Sequence, residues 1–248
     1  MNDVFYMPLG SLTPSQLYIS SEKLSGVLSW FHGDISVMEP IPLKMLAGRT
    51  LMTDGHTRAV AAWLAGCYEV PCVWDKDELD FAAYAADISV CAEEGVTSVA
   101  DLSRRIVSAA DYKRLWNDRC DEITGERYYG ILTQKDEIIF YTVSHAGYGG
   151  GFDIRPYESG FDDGEYFMLY DQGVQAAMGS IERYSYEFWE AASIRTFPGF
   201  RRRGFGTAIT AFLTDRIISS GKTATCRTLP ENAGMNRIIA GCGYKRLY

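Results

Sequence analysis

The sequence predicts a mixed α/β (α+β) protein of two domains, and three observations predict it. Its 248 residues suffice for two cores of ordinary size. Its first half carries a strand, a glycine turn, a helix and a second strand in immediate succession. From about Gly125 the texture changes to β-branched, aromatic and glycine-rich segments, the composition of strands and hairpins. The change places a boundary near residues 120–130. We therefore read 1–124 as one domain with trailing helices and 125–248 as a second.

Each element follows from its local pattern. "RTLMTD" (Arg49 to Asp54) is a short strand. "HTRAVAAWLAG" is a helix with Val60, Trp63 and Leu64 on one face and Gly66 as its stop, and "VPCVW" is the next strand. Helical patterns continue through "DELDFAAYAADISVCAEEG" and "SVADLSRRIVSAADYKRLWNDRC". In the second half "YYGILT", "EIIFYTV", "EYFMLYD", "VQAAMGSIERY" and "EAASIRTF" read as strands. "HAGYGGGFD" reads as a flexible loop, since no basic residue or following helix makes it a phosphate loop. Glu158, Asp162, Asp163 and Glu165 form an acidic stretch that is either a solvated loop or a lure for an amine.

With 47% hydrophobic and 23% charged residues, the composition is that of a soluble globular protein. The net charge of -8 argues against a nucleic-acid binder, which needs a basic face. The first residues lack the basic and apolar regions of a signal peptide, and no apolar run is long enough to cross a bilayer, so a cytoplasmic protein with no membrane partner is expected. The six cysteines are scattered without C-x-x-C pairs and read as free buried thiols, and the three histidines stand too far apart to suggest a metal site.

Against this acidic background "FPGFRRRGFGTAITAFL" (Phe197 to Leu213) stands out. Three arginines run into Gly204, Phe205, Gly206 and Thr207, and a helix follows with Ile209, Phe212, Leu213 and Ile217 on one stripe. The first amides of a helix are unpaired and its dipole is positive there, so arginines at that end are unfavourable unless something negative joins them. An anion resolves the conflict, and the two glycines let it reach the amides. The alternative is an exposed basic turn paired with nearby acids.

The turn belongs to an ordered set. Glu190 precedes Arg201 by one strand and a turn, and after the helix come a strand, Asn232, a short helix and Gly243-Tyr244 before a final strand. This set resembles the GNAT superfamily of acetyl-CoA-dependent N-acetyltransferases, well over residues 165–248 and more loosely over 125–164. The resemblance implies acyl transfer from acetyl-CoA to a small-molecule or peptide amine. It implies a cofactor site of Ile194, Thr196, Arg201, Arg202, Arg203, Gly204, Phe205, Gly206, Thr207 and Asn232, with the backbone near Ile194 and Thr196 holding the pantetheine. Glu190 is the candidate base, its alternative being an ordinary surface or ion-paired carboxylate. One departure is Ile239, which stands where many members carry a tyrosine. The general acid is then unassigned, and Tyr244 and Tyr248 read as packing residues.

The first domain repeats the logic in "TDGHTRAVAAWLAG", where Gly55 makes the turn and Arg58 lies in the first helical turn. Either Arg58 meets a phosphate or it pairs with Asp54 or Asp75. With "PLGSLTPSQ", "EPIPLKML" and "VPCVW" the order resembles the ParB and sulfiredoxin-like nucleotide-binding fold over residues 5–75. The resemblance implies a nucleotide or phosphate site at Gly55, His56, Thr57 and Arg58. His56 stands where sulfiredoxins need a cysteine, so sulfinic-acid reduction is not expected. Three functions compete: an acetyltransferase with a phosphate-binding module, a nucleotide-dependent small-molecule kinase with a CoA sensor, and a pair of binding modules.

Overall fold

The structure, a computed structural model, describes residues 4–77, 81–123, 137–158, 165–183 and 185–247. The chain divides into two compact units, Met1–Thr133 and Gln134–Tyr248. The dividing point and the boundary drawn from sequence both fall in a segment outside the described residues, as do the "YYGILT" strand, Asp162, Asp163 and Tyr248. Both units are mixed α/β.

The first unit runs β1 (Phe5–Pro8), β2 (Leu12–Thr13), β3 (Ile19–Ser20), α1 (Ser21–Leu28), β4 (Ile41–Leu46), β5 (Arg49–Met52), α2 (His56–Leu64), β6 (Glu69–Trp74) and α3 (Phe81–Glu93). It closes with α4 (Val99–Leu102), β7 (Ile106–Val107), α5 (Ala109–Tyr112), a π-helical turn over Lys113–Asn117, and α6 (Asp118–Ile123). Five strands form a sheet in the order β1-β6-β4-β5-β2. Ile41 and Leu43 point into its core while Pro42 and Lys44, on the other face, are half-buried; the alternation ends at Met45, which is exposed where Leu46 is buried.

Two expectations are corrected here. Helix α2 buries His56, Ala59, Val60, Ala61 and Ala62, whereas Trp63 and Leu64 are 40% and 51% exposed. The helix turns its small side inward because it packs against both α1 and α4, where alanines permit close approach. The helical reading of residues 98–120 is also interrupted. Ser98 and Ser108 each accept a hydrogen bond from the amide of the aspartate three residues on, Asp101 and Asp111, and so start two separate short helices. Between them β7 pairs in parallel with β3.

Asp87 on α3 illustrates the cost of burial. Desolvation raises its carboxyl to about 7 against the opposing pull of the Arg119 guanidinium. The native state therefore holds a proton that an unfolded aspartate releases near pH 4, and this group's contribution to stability falls as pH rises from about 4 to about 7. His56 works oppositely: burial lowers its pKa to about 4, so its contribution rises with pH between about 4 and about 6.5. The stability of Asp87→Asn relative to the native protein should climb steadily across pH 4–7 in urea titrations. A pH-independent difference would show that Asp87 is ionised throughout.

The second unit runs β8 (Ile138–Thr142), β9 (Asp153–Tyr157), β10 (Glu165–Asp171), β11 (Val174–Glu182), β12 (Phe188–Thr196), α7 (Phe205–Ser219), β13 (Thr223–Thr228), α8 (Ala233–Gly241) and β14 (Lys245–Arg246). Its sheet has the order β14-β8-β13-β12-β11-β10-β9. All neighbours are antiparallel except β12 and β13. Helix α7 packs across β11, β12 and β13 and buries Ile209, Leu213 and Ile217 fully. Phe212, from the same stripe, is half-buried against the rings of Tyr148 and Phe167.

The segment read as a flexible loop is tethered. Asp215 of α7 accepts hydrogen bonds from the amides of Ala146 (2.6 Å) and Tyr148 (2.9 Å). Glu165, read as part of a solvated acidic stretch, is instead held by Arg183 (2.9 Å) and Arg216 (2.6 Å). All six cysteines are free. Among the described residues no helix is long and apolar enough to cross a membrane.

Candidate functional site

The parallel pair at the centre of the second sheet is short. β12 and β13 pair only from Phe188–Thr223 to Glu190–Thr225, although both strands run on beyond that point. β12 stays paired with β11 on its other side, and a bulge there sets two residues, Ser193 and Ile194, against Gly179 alone. Ser193 takes a positive φ of 52°, the strained residue of that bulge. The polar backbone of β12 facing β13 is thus unclaimed by strand pairing over Ile194–Thr196.

That stretch forms one wall of a cleft of about 580 Å³. The turn at Arg201 and Arg202 and the first residues of α7 form a second wall; Asn232, Met235, Arg237 and Ile238, at and within the start of α8, form the third. Gly204 caps α7 with φ 84°, a conformation that disfavours any side chain, while a Cβ there would meet nothing. Gly206 is different: its Cβ would lie 3.0 Å from Ile238 Cδ1 and 3.1 Å from Thr196 Oγ1. The first glycine serves the turn and the second serves close packing between the cleft's walls. The first bond into the helix runs from the Ala208 amide to the Gly204 carbonyl, which leaves the amides of Phe205, Gly206 and Thr207 ahead of the helical ladder.

The arginines divide into two groups. Arg203 pairs with Asp171 at 2.7 Å and lies over the rings of Phe200 and Phe205, so it braces the turn and is not part of the cleft wall. Arg195, Arg201, Arg202 and Arg237 all line the cleft, and among the described residues none has a carboxylate partner. In a protein of net charge -8 this is a concentration of unmatched positive charge beside open amides. Arg195 and Arg237 escaped the sequence reading because neither lies in the glycine turn.

Asn232 is the N-cap of α8. Its side-chain oxygen accepts from the Met235 amide at 3.1 Å, which leaves its NH2 group to donate elsewhere. Ile239 is fully buried. Tyr244 is buried too, with its hydroxyl 2.8 Å from Thr214 Oγ1, and burial raises its pKa well above the ordinary phenol value.

Glu190 sits at the last paired position before β12 and β13 part, yet it is only 3% exposed and does not line the cleft. Arg227 donates to both its oxygens, from Nε at 2.9 Å and from a terminal nitrogen at 2.7 Å. Burial raises its pKa, and the Arg227 guanidinium works against that shift. The arrangement keeps a carboxylate inside the fold at the fork of the two strands.

In the first unit the turn before α2 meets its own charge. Arg58 donates to the Glu39 carboxylate at 2.8 Å and to the Glu39 carbonyl at 2.9 Å, and approaches Asp54 at 3.6 Å. Asp75 is occupied differently, accepting from the Thr53 hydroxyl. His56, expected at a phosphate, is buried, and its Nε2 accepts from the Ser15 amide at 3.0 Å. The helix dipole at Gly55 thus finds negative charge without a ligand. Since Glu39 is exposed, its ion pair is worth little, and the bond to the backbone carbonyl carries more. Arg58→Ala should cost about 1–3 kcal/mol in chemical denaturation; a cost near zero would show that the cluster is decorative.

No family model matches the chain, and no curated protein does. It is similar to a GNAT-family acetyltransferase from Colwellia psychrerythraea at 15% identity and TM-score 0.39, over 71% of this chain and 72% of that one. It is similar to a protein described as a GNAT-family acetyltransferase from Novosphingobium aromaticivorans at 15% identity and TM-score 0.39, over 44% of this chain and 59% of that one. A third likeness is to a GCN5-related N-acetyltransferase from Kribbella flavida, at 23% identity and TM-score 0.31, over 46% and 48% of the two chains.

Proposed function

We propose that the second unit is an acetyl-CoA-dependent N-acetyltransferase of the GNAT type, acting on an amine. The observation that carries this reading is the cleft itself: open helix amides and unmatched arginines on one side, an unpaired strand edge on the other. The fit to a long anionic thioester is specific in three places. The amides of Phe205, Gly206 and Thr207, with Arg201 and Arg202, suit a pyrophosphate. The free edge of β12 at Ile194–Thr196 suits an amide-bearing arm that hydrogen-bonds as an added strand would. The NH2 group of Asn232 is left to reach the same arm.

Acetyl-CoA, when bound, supplies an acyl group activated as a thioester. The chain's part is to hold and polarise: backbone N–H groups of the bulged stretch of β12 donate to the thioester oxygen as it gains charge. The amine must give up a proton. We assign its final acceptor as Glu190, reached through water because the carboxylate does not line the cleft, and made more basic by burial. Among the described residues no tyrosine lines the cleft, and we assign the proton taken up by the departing thiolate to solvent. The kinase alternative draws on Gly55 to Arg58, whose cation is already paired.

Calorimetric titration with acetyl-CoA tests the reading. At about a hundred times its dissociation constant the ligand should stabilise the protein by about 2.7 kcal/mol; no heat and no stabilisation would overturn the proposal. With an acceptor amine in hand, Glu190→Gln should lower kcat by about 10²-fold with little change in acetyl-CoA affinity. Unchanged turnover would return Glu190 to a purely structural part.

A further inference from the structure

The cleft holds more positive charge than a pyrophosphate accounts for. Arg201 and Arg202, at the open end of α7, match the two charges of such a group, and Arg195 lies over the ring of Phe197 at 5.7 Å. Arg237 remains. It projects from the middle of α8, five residues past the N-cap at Asn232, so it serves neither the capping of that helix nor any carboxylate among the described residues. Its neighbour Ile238 closes on Gly206, where an added Cβ would come within 3.0 Å, so Arg237 stands beside the first turn of α7 but on the facing wall.

An exposed arginine fork of this kind is suited to bidentate binding of a terminal phosphate. Elsewhere in the protein cleft-free arginines such as Arg58, Arg203, Arg216 and Arg227 each hold a carboxylate, which makes an unmatched one on a ligand-sized cavity a specific departure.

We propose that Arg237 is a specificity residue for a separate phosphate monoester at the nucleoside end of the ligand, so that the cleft selects coenzyme A over its 3′-dephosphorylated form. The inference rests on the acyltransferase reading above and deepens it. Two arginines and the helix amides hold the phosphates shared by both compounds, and Arg237 meets only the group that distinguishes them.

The test is calorimetric titration of the full chain, native and with Arg237→Ala or Arg237→Lys, against coenzyme A and 3′-dephospho-coenzyme A. The native protein should bind coenzyme A about tenfold to a hundredfold more tightly. Arg237→Ala should lose that preference by weakening coenzyme A alone, and Arg237→Lys should keep part of it. Unaltered affinity of Arg237→Ala for the dephosphorylated compound also reports that the variant is folded. Equal native affinities, or an equal loss for both ligands on substitution, would overturn the assignment and leave the acyltransferase reading standing. Failure of the native protein to bind either compound would overturn both.

Discussion

Gly206→Leu is expected to abolish acetyl-CoA binding and to destabilise the second unit by about 1–3 kcal/mol. The reason is steric and local. A Cβ at this position already stands 3.0 Å from Ile238 and 3.1 Å from Thr196, and a branched side chain has no space between the walls of the cleft. The helix must withdraw, and the amides of Phe205, Gly206 and Thr207 move with it. Gly206→Ala should show the same effects in reduced form, because Ile238 ends in a flexible Cδ1 that can yield a few tenths of an ångström. Calorimetry with acetyl-CoA and urea denaturation of the same samples separate the two losses. A leucine variant that is stable and binds normally would show that this face of α7 does not bear on the ligand.

Arg227→Ala is expected to cost about 3–5 kcal/mol, the largest stability loss in the second unit. The substitution leaves Glu190 buried without its bidentate partner, with the carboxylates of Glu137 and Glu182 close enough to disfavour its charge further. The pH dependence has a definite sign. Loss of the guanidinium raises the folded-state pKa of Glu190 more, so the native variant binds a proton that its unfolded chain releases, and its stability falls as pH rises. The deficit should therefore be greatest near neutral pH and shrink toward acid. Pairing Arg227→Met with Glu190→Leu should recover much of the loss, since removing both charges avoids the unmatched one. A single variant with a small, pH-independent cost would show that Glu190 is well solvated.

The competition between packing and function meets at the fork of β12 and β13. The ion pair of Glu190 with Arg227 spans the two strands where they last hydrogen-bond, and the bulge at Ser193 follows directly. Holding the strands together below the fork and bending one above it leaves the backbone of Ile194–Thr196 open. The residue assigned to chemistry is thus also one that maintains the shape of the cleft. A Glu190 variant must accordingly be judged by turnover and stability together.

Local pattern determined much of this protein. Composition marks "EYFMLYD" and "VQAAMGSIERY" as β10 and β11, but not their faces, since consecutive residues such as Phe167, Met168 and Leu169 are all buried. The glycine turn and the stripe of Ile209, Leu213 and Ile217 mark the start and the buried face of α7. The twin Ser-x-x-Asp signals at Ser98 and Ser108 were equally present, and they break a region that apolar spacing alone renders as continuous helix. Tertiary structure decided the rest, because it depends on groups far apart in the chain. Arg58 meets Glu39, Arg203 meets Asp171, and Glu190 meets Arg227 across the sheet. Arg195 and Arg237 are left unmatched in the cleft by the same geometry. An arginine's chemistry is set by which charges lie within a few ångströms of it, and sequence spacing does not encode that distance once strands and helices have crossed. Which face of α2 is buried was likewise a matter of the helices that pack on it, and the small alanine side went inward where the large Trp63 and Leu64 could not.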